Sequence, residues 1–122
     1  MARRVMLEAF FAAENQRDWE RYVEFLHPDV EWVIDGRAVQ GRGDHLDAIA
    51  AAYAGSDAQF RLHRIIESSD HNRVATLLVD SEENRSLDVF EFEDGLIRRE
   101  WEFLLGPGGD WNGDVVEFRF NV

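Results

Sequence analysis

Apolar positions in the first half of the chain recur at helical spacing. In Val5–Gln16, Met6, Ala9, Phe10 and Ala13 fall on one side, with Glu8 and Asn15 elsewhere on the wheel. Asp18 is placed to cap a second helix, whose stripe is Trp19, Tyr22, Val23 and Leu26. His27-Pro28-Asp29 ends that helix, because proline biases the residue before it away from helical geometry. Val30–Ile34 reads as a strand, Gly36–Gly43 as a loop. Asp44 then caps a third helix carrying Leu46, Ile49, Ala50 and Tyr53 on one face, which Gly55 stops.

The second half changes period. Apolar and polar residues alternate over 59–68, 73–81, 86–93, 96–105 and 115–121, the spacing of a meandering antiparallel sheet. Between the third and fourth of these lies Asp94-Gly95, a strong hairpin dipeptide. Three helices followed by a run of strands predict an α+β fold with the helices on one face. A curved sheet closed in this way makes a cone with a pocket in its mouth.

Composition narrows the function. A chain of 122 residues has room for one domain, and 45% hydrophobic residues, with nine Phe and four Trp, suffice for a core. There is no Cys, which removes disulfides, thiolate metal sites and thiol nucleophiles. A formal net charge of −12 repels phosphate backbones and anionic lipid, so neither nucleic acid nor a membrane is an expected partner. Glu8, Glu14 and Asn15 interrupt the apolar stretch an export signal would need after Arg3-Arg4, and a cytoplasmic protein is expected. Gly41-Arg42-Gly43 lacks the rest of a dinucleotide fingerprint, and the four histidines show no ligand spacing. No cofactor and no metal are expected.

Three strings carry a family resemblance: His27-Pro28-Asp29-Val30-Glu31-Trp32, Gly41-Arg42-Gly43 opening a helix, and Asp88–Ile97. Together they resemble the SnoaL-like branch of the nuclear transport factor 2-like superfamily, over about residues 5–105 of a single 1–122 domain. The resemblance implies a conical fold of three N-terminal helices on a strongly curved antiparallel sheet, a homodimer, and a cavity lined by the concave face. The superfamily hosts isomerases, cyclases, hydrolases and non-catalytic members, so fold alone does not choose. Against ketosteroid isomerases, Asp88 matches the protonated acid that donates to an oxyanion, and Asp35 lies within one residue of the general base. Phe10 stands where those enzymes carry an oxyanion-binding tyrosine, which argues against steroid isomerisation. Against polyketide cyclases, Glu100-Trp101-Glu102 occupies the place of a His-Trp-Asp string.

Alternation along 96–105 puts Arg98, Glu100 and Glu102 on one face and Ile97, Arg99, Trp101 and Phe103 on the other. By the cyclase comparison the first set faces the cavity, with Glu102 as base, Asp88 as hydrogen-bond donor, and Glu100 or Arg98 tuning them. The same pattern equally describes a solvated face laced with Arg–Glu pairs. Asp35 precedes Gly36 and doubles as ordinary turn chemistry. Phe90, Tyr53, His63, Phe10 and Trp32 complete the candidate binding residues for a small apolar organic ligand. The expected activity is cofactor-independent proton transfer on a carbonyl-containing or cyclic substrate. The alternative is a non-catalytic interaction module that uses the Ile97, Trp101 and Phe103 face together with the extra terminal strand Val115–Phe120 as a dimer or partner surface.

Overall fold

The computed structural model describes residues 2–34 and 36–107; the candidate Asp35 and the expected final strand 115–121 lie outside them. Three helices come first, broken by a hairpin: α1 (Arg3–Asn15), α2 (Trp19–Val23), β1 (Leu26–Ile34), β2 (Arg37–Gln40) and α3 (Arg42–Tyr53). Four strands follow: β3 (Phe60–Glu67), β4 (Arg73–Asp80), β5 (Asn84–Glu93) and β6 (Leu96–Pro107). The sheet order is β2-β1-β6-β5-β4-β3, and the sheet is curved and unclosed. The architecture is α+β, as the order of elements predicts.

Helix α1 makes the central contact because Leu7, Phe10, Phe11 and Glu14 recur at i, i+3, i+4 and i+7 and are all buried. Its rings meet the sheet through Phe90, which lies 6.0 Å edge-on from Phe10 and 5.8 Å from Phe11. Tyr22 of α2 stacks on Phe10 at 4.5 Å, joining α2 to the same aromatic cluster. Val74, Leu78, Phe92 and Ile97 supply the sheet's side of this core. In the β5–β6 hairpin, Asp94 and Gly95 have φ of +55° and +76°, the turn geometry their dipeptide favours.

Four readings of the pattern are corrected. Helix α2 is five residues long, so Leu26 does not finish a helical stripe but begins β1, its carbonyl held by the Arg42 guanidinium. The 36–43 segment contains β2, a short edge strand paired antiparallel to β1. Asp44 lies in the first turn of α3, whose N-cap is Gly41 at φ +86° with no side-chain cap. The sheet is antiparallel except at one seam: β6 runs parallel to β1, because the intervening α3 and three strands return the chain in the same direction.

A fifth correction concerns faces. Strand pairing steps from Glu91↔Arg99 to Phe92↔Ile97, leaving Arg98 as an extra residue in a β-bulge. One inserted residue reverses the alternation before it. Ile97 therefore joins the core under the helices, while Trp101 lies across the sheet, where its ring is 5.9 Å from Arg73. The expected patch of Ile97, Trp101 and Phe103 is not an exposed surface: Ile97 and Trp101 are buried and Phe103 is half-buried.

Because Phe10 is fully enclosed by rings from α2 and β5, Phe10→Ala should cost about 3–5 kcal/mol, read from urea unfolding. A loss below about 1 kcal/mol would show that this cluster does not anchor the helices.

Candidate functional site

The bulge at Arg98 decides which charges face the helices. Beyond it, Glu100, Glu102 and Leu104 alternate on the inner face of β6. Cross-strand register sets two rows on the floor. One runs Ile34, Glu102, Asp88 and Thr76; the next runs Trp32, Glu100, Phe90 and Val74. Two carboxylates thus meet directly across β5 and β6, an arrangement that opposes ionisation of both. Above the first row opens a cavity of about 320 Å³, lined mainly by apolar side chains including Trp32, Ile34, Ile49, Phe60 and Leu78. Asp88 and Glu102 line it from the sheet; Glu14 and Tyr53 line it from the helices.

Carboxylate oxygens of Asp88, Glu100 and Glu102 all lie within 4.8 Å of one another. Burial pushes Asp88 well above the ordinary carboxylate range, and the neighbouring Glu102 charge adds to it. Glu100 rises for the same first reason, with Asp88 the next influence. The two share a hydrogen bond, and Asp88 Oδ1 has no partner among the described residues. The backbone carbonyl of Asp88 accepts a bond of 3.1 Å from the buried Thr76 hydroxyl, which fixes this stretch of β5 against β4. These three acids are also the set, among the described residues, whose oxygens could share a cation.

Glu14 faces them from α1. Its Oε2 accepts a 2.6 Å hydrogen bond from the Tyr53 hydroxyl of α3. Burial dominates nonetheless and pushes Glu14 up to about 8, the Tyr53 bond opposing and the Glu102 charge reinforcing the rise. Burial and the Glu14 charge push the Tyr53 phenol upward in turn. Arg17, at φ +57°, stacks 4.1 Å over the Tyr53 ring and donates to the carbonyls of Glu14, Asn15, Ser56 and Ala58. That clamp joins the end of α1 to the segment before β3 and sets the position of Tyr53.

Deeper in the core the Tyr22 hydroxyl and His45 Nε2 are 2.7 Å apart. Burial lowers His45 to about 4, so the imidazole is neutral, and its ring lies 5.1 Å from Trp32.

The candidates thus separate. Asp88, Glu100 and Glu102 come together, and Trp32 and Tyr53 join the cavity wall. Phe10 and Phe90 are packed inside the core. Arg98 does not line the cavity; it donates to the Asp29 carbonyl at 2.6 Å and pairs with Glu93 at 3.3 Å. His63 is the extra residue where β3 pairing steps from Leu62↔Leu78 to Arg64↔Leu77, and it is exposed on an edge strand. Glu14 is the residue that pattern reading passed over. Its signal was present: a carboxylate at i+7 from Leu7 and i+4 from Phe10, in line with the apolar stripe.

A family model described as a SnoaL-like domain matches residues 7–100. The chain is a member of the SnoaL-like family. Members of this family include isomerases and cyclases. Among solved structures, the SnoaL-like chain resembles a protein of unknown function from Burkholderia thailandensis (16% identity, TM-score 0.75, 84% of this chain and 94% of that one). It is also similar to a computationally designed 17-OHP binder (16%, TM-score 0.67, 81% and 87%). A third relative is the epoxide hydrolase/cyclase-like enzyme SalBIII, which has a role in pyran ring formation (16%, TM-score 0.71, 84% and 89%). At these identities the likeness establishes the fold. A search of curated proteins finds no match. Among the described residues no helix is long and apolar enough to cross a membrane.

The buried acids make stability depend on pH in a definite direction. Glu14, Asp88 and Glu100 hold their protons more tightly folded than unfolded, so their contribution is complete below about pH 4.5 and is lost as pH rises. For Glu14 the loss runs from 4.5 to about 8 and is worth roughly 4–5 kcal/mol. His45 acts in the opposite sense, its contribution fading as pH falls from 6.5 to about 4. The thermal midpoint should be highest near pH 5 and fall toward pH 9, and Glu14→Gln should be more stable than the parent at pH 9. Equal melting curves for parent and variant at pH 9 would contradict the buried, neutral Glu14.

Proposed function

We propose that this SnoaL-like chain binds a small apolar ligand and transfers a proton on it without a cofactor, the substrate being carbonyl-containing or cyclic. The observation behind this is the trio of carboxyls within 4.8 Å of one another, two of which, Asp88 and Glu102, line a mainly apolar cavity. Like charges that close in a desolvated site share protons, which places a neutral acid beside a carboxylate. Such pairs are the equipment of general acid–base catalysis.

Glu102 is half-buried and faces the cavity, so it is assigned as the base. It takes a proton from the carbon next to the substrate carbonyl. The electron pair moves onto the carbonyl oxygen, where the neutral Asp88–Glu100 pair donates hydrogen bonds to the developing charge. Return of the proton to another carbon gives an isomer; attack by the enol carbon on a second carbonyl of the same molecule, whose π pair moves to its oxygen and takes up the proton, gives a ring. Phe10 cannot donate to the oxygen, which leaves Asp88 as the principal donor. The cavity volume suits a ligand of a few fused rings, and a designed protein of this fold binds 17-OHP.

The test uses cyclohexanone in deuterated buffer, following loss of its α-proton signals by NMR. The parent should accelerate exchange, and Glu102→Gln should lower the enzymatic rate about 10²–10⁴-fold at unchanged melting temperature. Exchange no faster than buffer, or equal exchange by the variant, would remove Glu102 from its assigned role.

A further inference from the structure

The cavity has acids on both of its walls. Glu102 and Asp88 face it from the sheet, Glu14 from α1, and the rings of Trp32, Tyr53 and Phe60 lie between them. A substrate with only a carbonyl needs one base and one or two donors, and this wall offers more acceptors than that. Asp88 is 4% exposed, and its Oδ1 lacks a donor. The sequence contains no lysine, so the chain has no side-chain ammonium of its own to offer. The cations near the wall are guanidinium groups. Arg17 is committed to four backbone carbonyls behind Tyr53, and Arg85 lines the wall at the start of β5.

We propose that the ligand of this cavity carries a protonated amino group, held by Glu102 and Asp88 on the sheet wall and Glu14 on the helix wall. The proposal rests on the reading of the cavity as the ligand site and names the polar group its ligand bears; a ligand so held occupies the carboxyls that proton transfer would use, so it replaces the catalytic roles of Glu102 and Asp88 with binding ones. An ammonium offers three donors, one for the unpartnered Asp88 Oδ1 and two for the cavity-facing carboxyls of Glu102 and Glu14. Aromatic faces on the wall suit both the apolar body of such a ligand and its charge. A negatively charged molecule, at −12, also raises the local concentration of cations near its surface.

Binding of this kind moves a proton. In the empty site burial holds Glu14, Asp88 and Glu100 neutral. When R–NH₃⁺ enters, one carboxyl becomes carboxylate and its proton leaves to solvent, while the ammonium keeps all of its own. The groups that face the exchanging carboxyl are Glu14, Tyr53 and Arg17 from the helical side, and Asp80, Arg85, Asp88, Glu100 and Glu102 from the strands. Behind them lie Tyr22 and the neutral His45, so the released proton comes from the acids and not from the imidazole.

The experiment compares 1-adamantylamine with 1-adamantanol, near-equal in shape, by isothermal titration calorimetry at pH 7 in phosphate and in Tris. The amine should bind about tenfold to a hundredfold more tightly, the gain of a charged hydrogen bond over a neutral one. Its apparent enthalpy should differ between the buffers because protons are released, and Glu102→Gln should remove most of the preference. Equal or tighter binding of the alcohol, with no buffer dependence, overturns the ammonium and leaves the cavity as a ligand site. Stabilisation by Mn²⁺ but not by the amine overturns it in favour of a metal. If neither adamantane binds, the proposal falls together with the ligand-site reading.

Discussion

Everything at the candidate site depends on one extra residue in β6. Ile97 must face the helices to close the core with Phe90 and Phe92, and strict alternation would then turn Glu100 and Glu102 to the opposite face. The bulge at Arg98 absorbs the mismatch. It lets an apolar residue and two acids occupy the same side of one strand, while Trp101 goes to the other. The displaced Arg98 side chain is not wasted: it fastens Asp29 of β1 and Glu93 of the hairpin, holding the bulge in place from both neighbours.

Putting those acids under the helices has an energetic consequence. Three carboxyls in adjacent rows cannot all ionise in a desolvated wall, so the folded chain retains protons that an unfolded chain would release. Such a site opposes the general economy of a protein core, where buried polar groups are paired. Asp88 Oδ1 breaks that rule at the wall of the cavity. Local frustration of this sort, in a sheet otherwise ordered by register and aromatic packing, is what a site for chemistry or for a ligand looks like.

The two walls are built by different means. On the sheet side, cross-strand register fixes the acids to a lattice of neighbours about 5 Å apart. On the helix side, position comes from a chain of contacts: Arg17 clamps the end of α1 to the segment before β3, stacks on Tyr53, and Tyr53 holds Glu14. A ligand between the walls would meet a fixed floor and a roof adjusted by one hydrogen bond.

Local pattern determined much of this molecule. Helical stripes with Phe10 at their centre, strand alternation, and the Asp94-Gly95 turn are legible because short-range periodicity and turn chemistry act within a few residues. The turn by itself would set Asp88 opposite Trp101, and only the bulge moves Glu102 into that place. Tertiary structure decided the rest. A bulge leaves no reliable mark in a single sequence, so the faces of Ile97 and Arg98, and with them the role of Arg98, were set by core packing. His63 was displaced in the same way on β3. Glu14 became part of the site only because α1 lies over the mouth of the sheet, a relation between elements distant in sequence. Acidic residues are legible from the chain; which of them must hold a proton depends on burial, and burial exists only once the fold has closed.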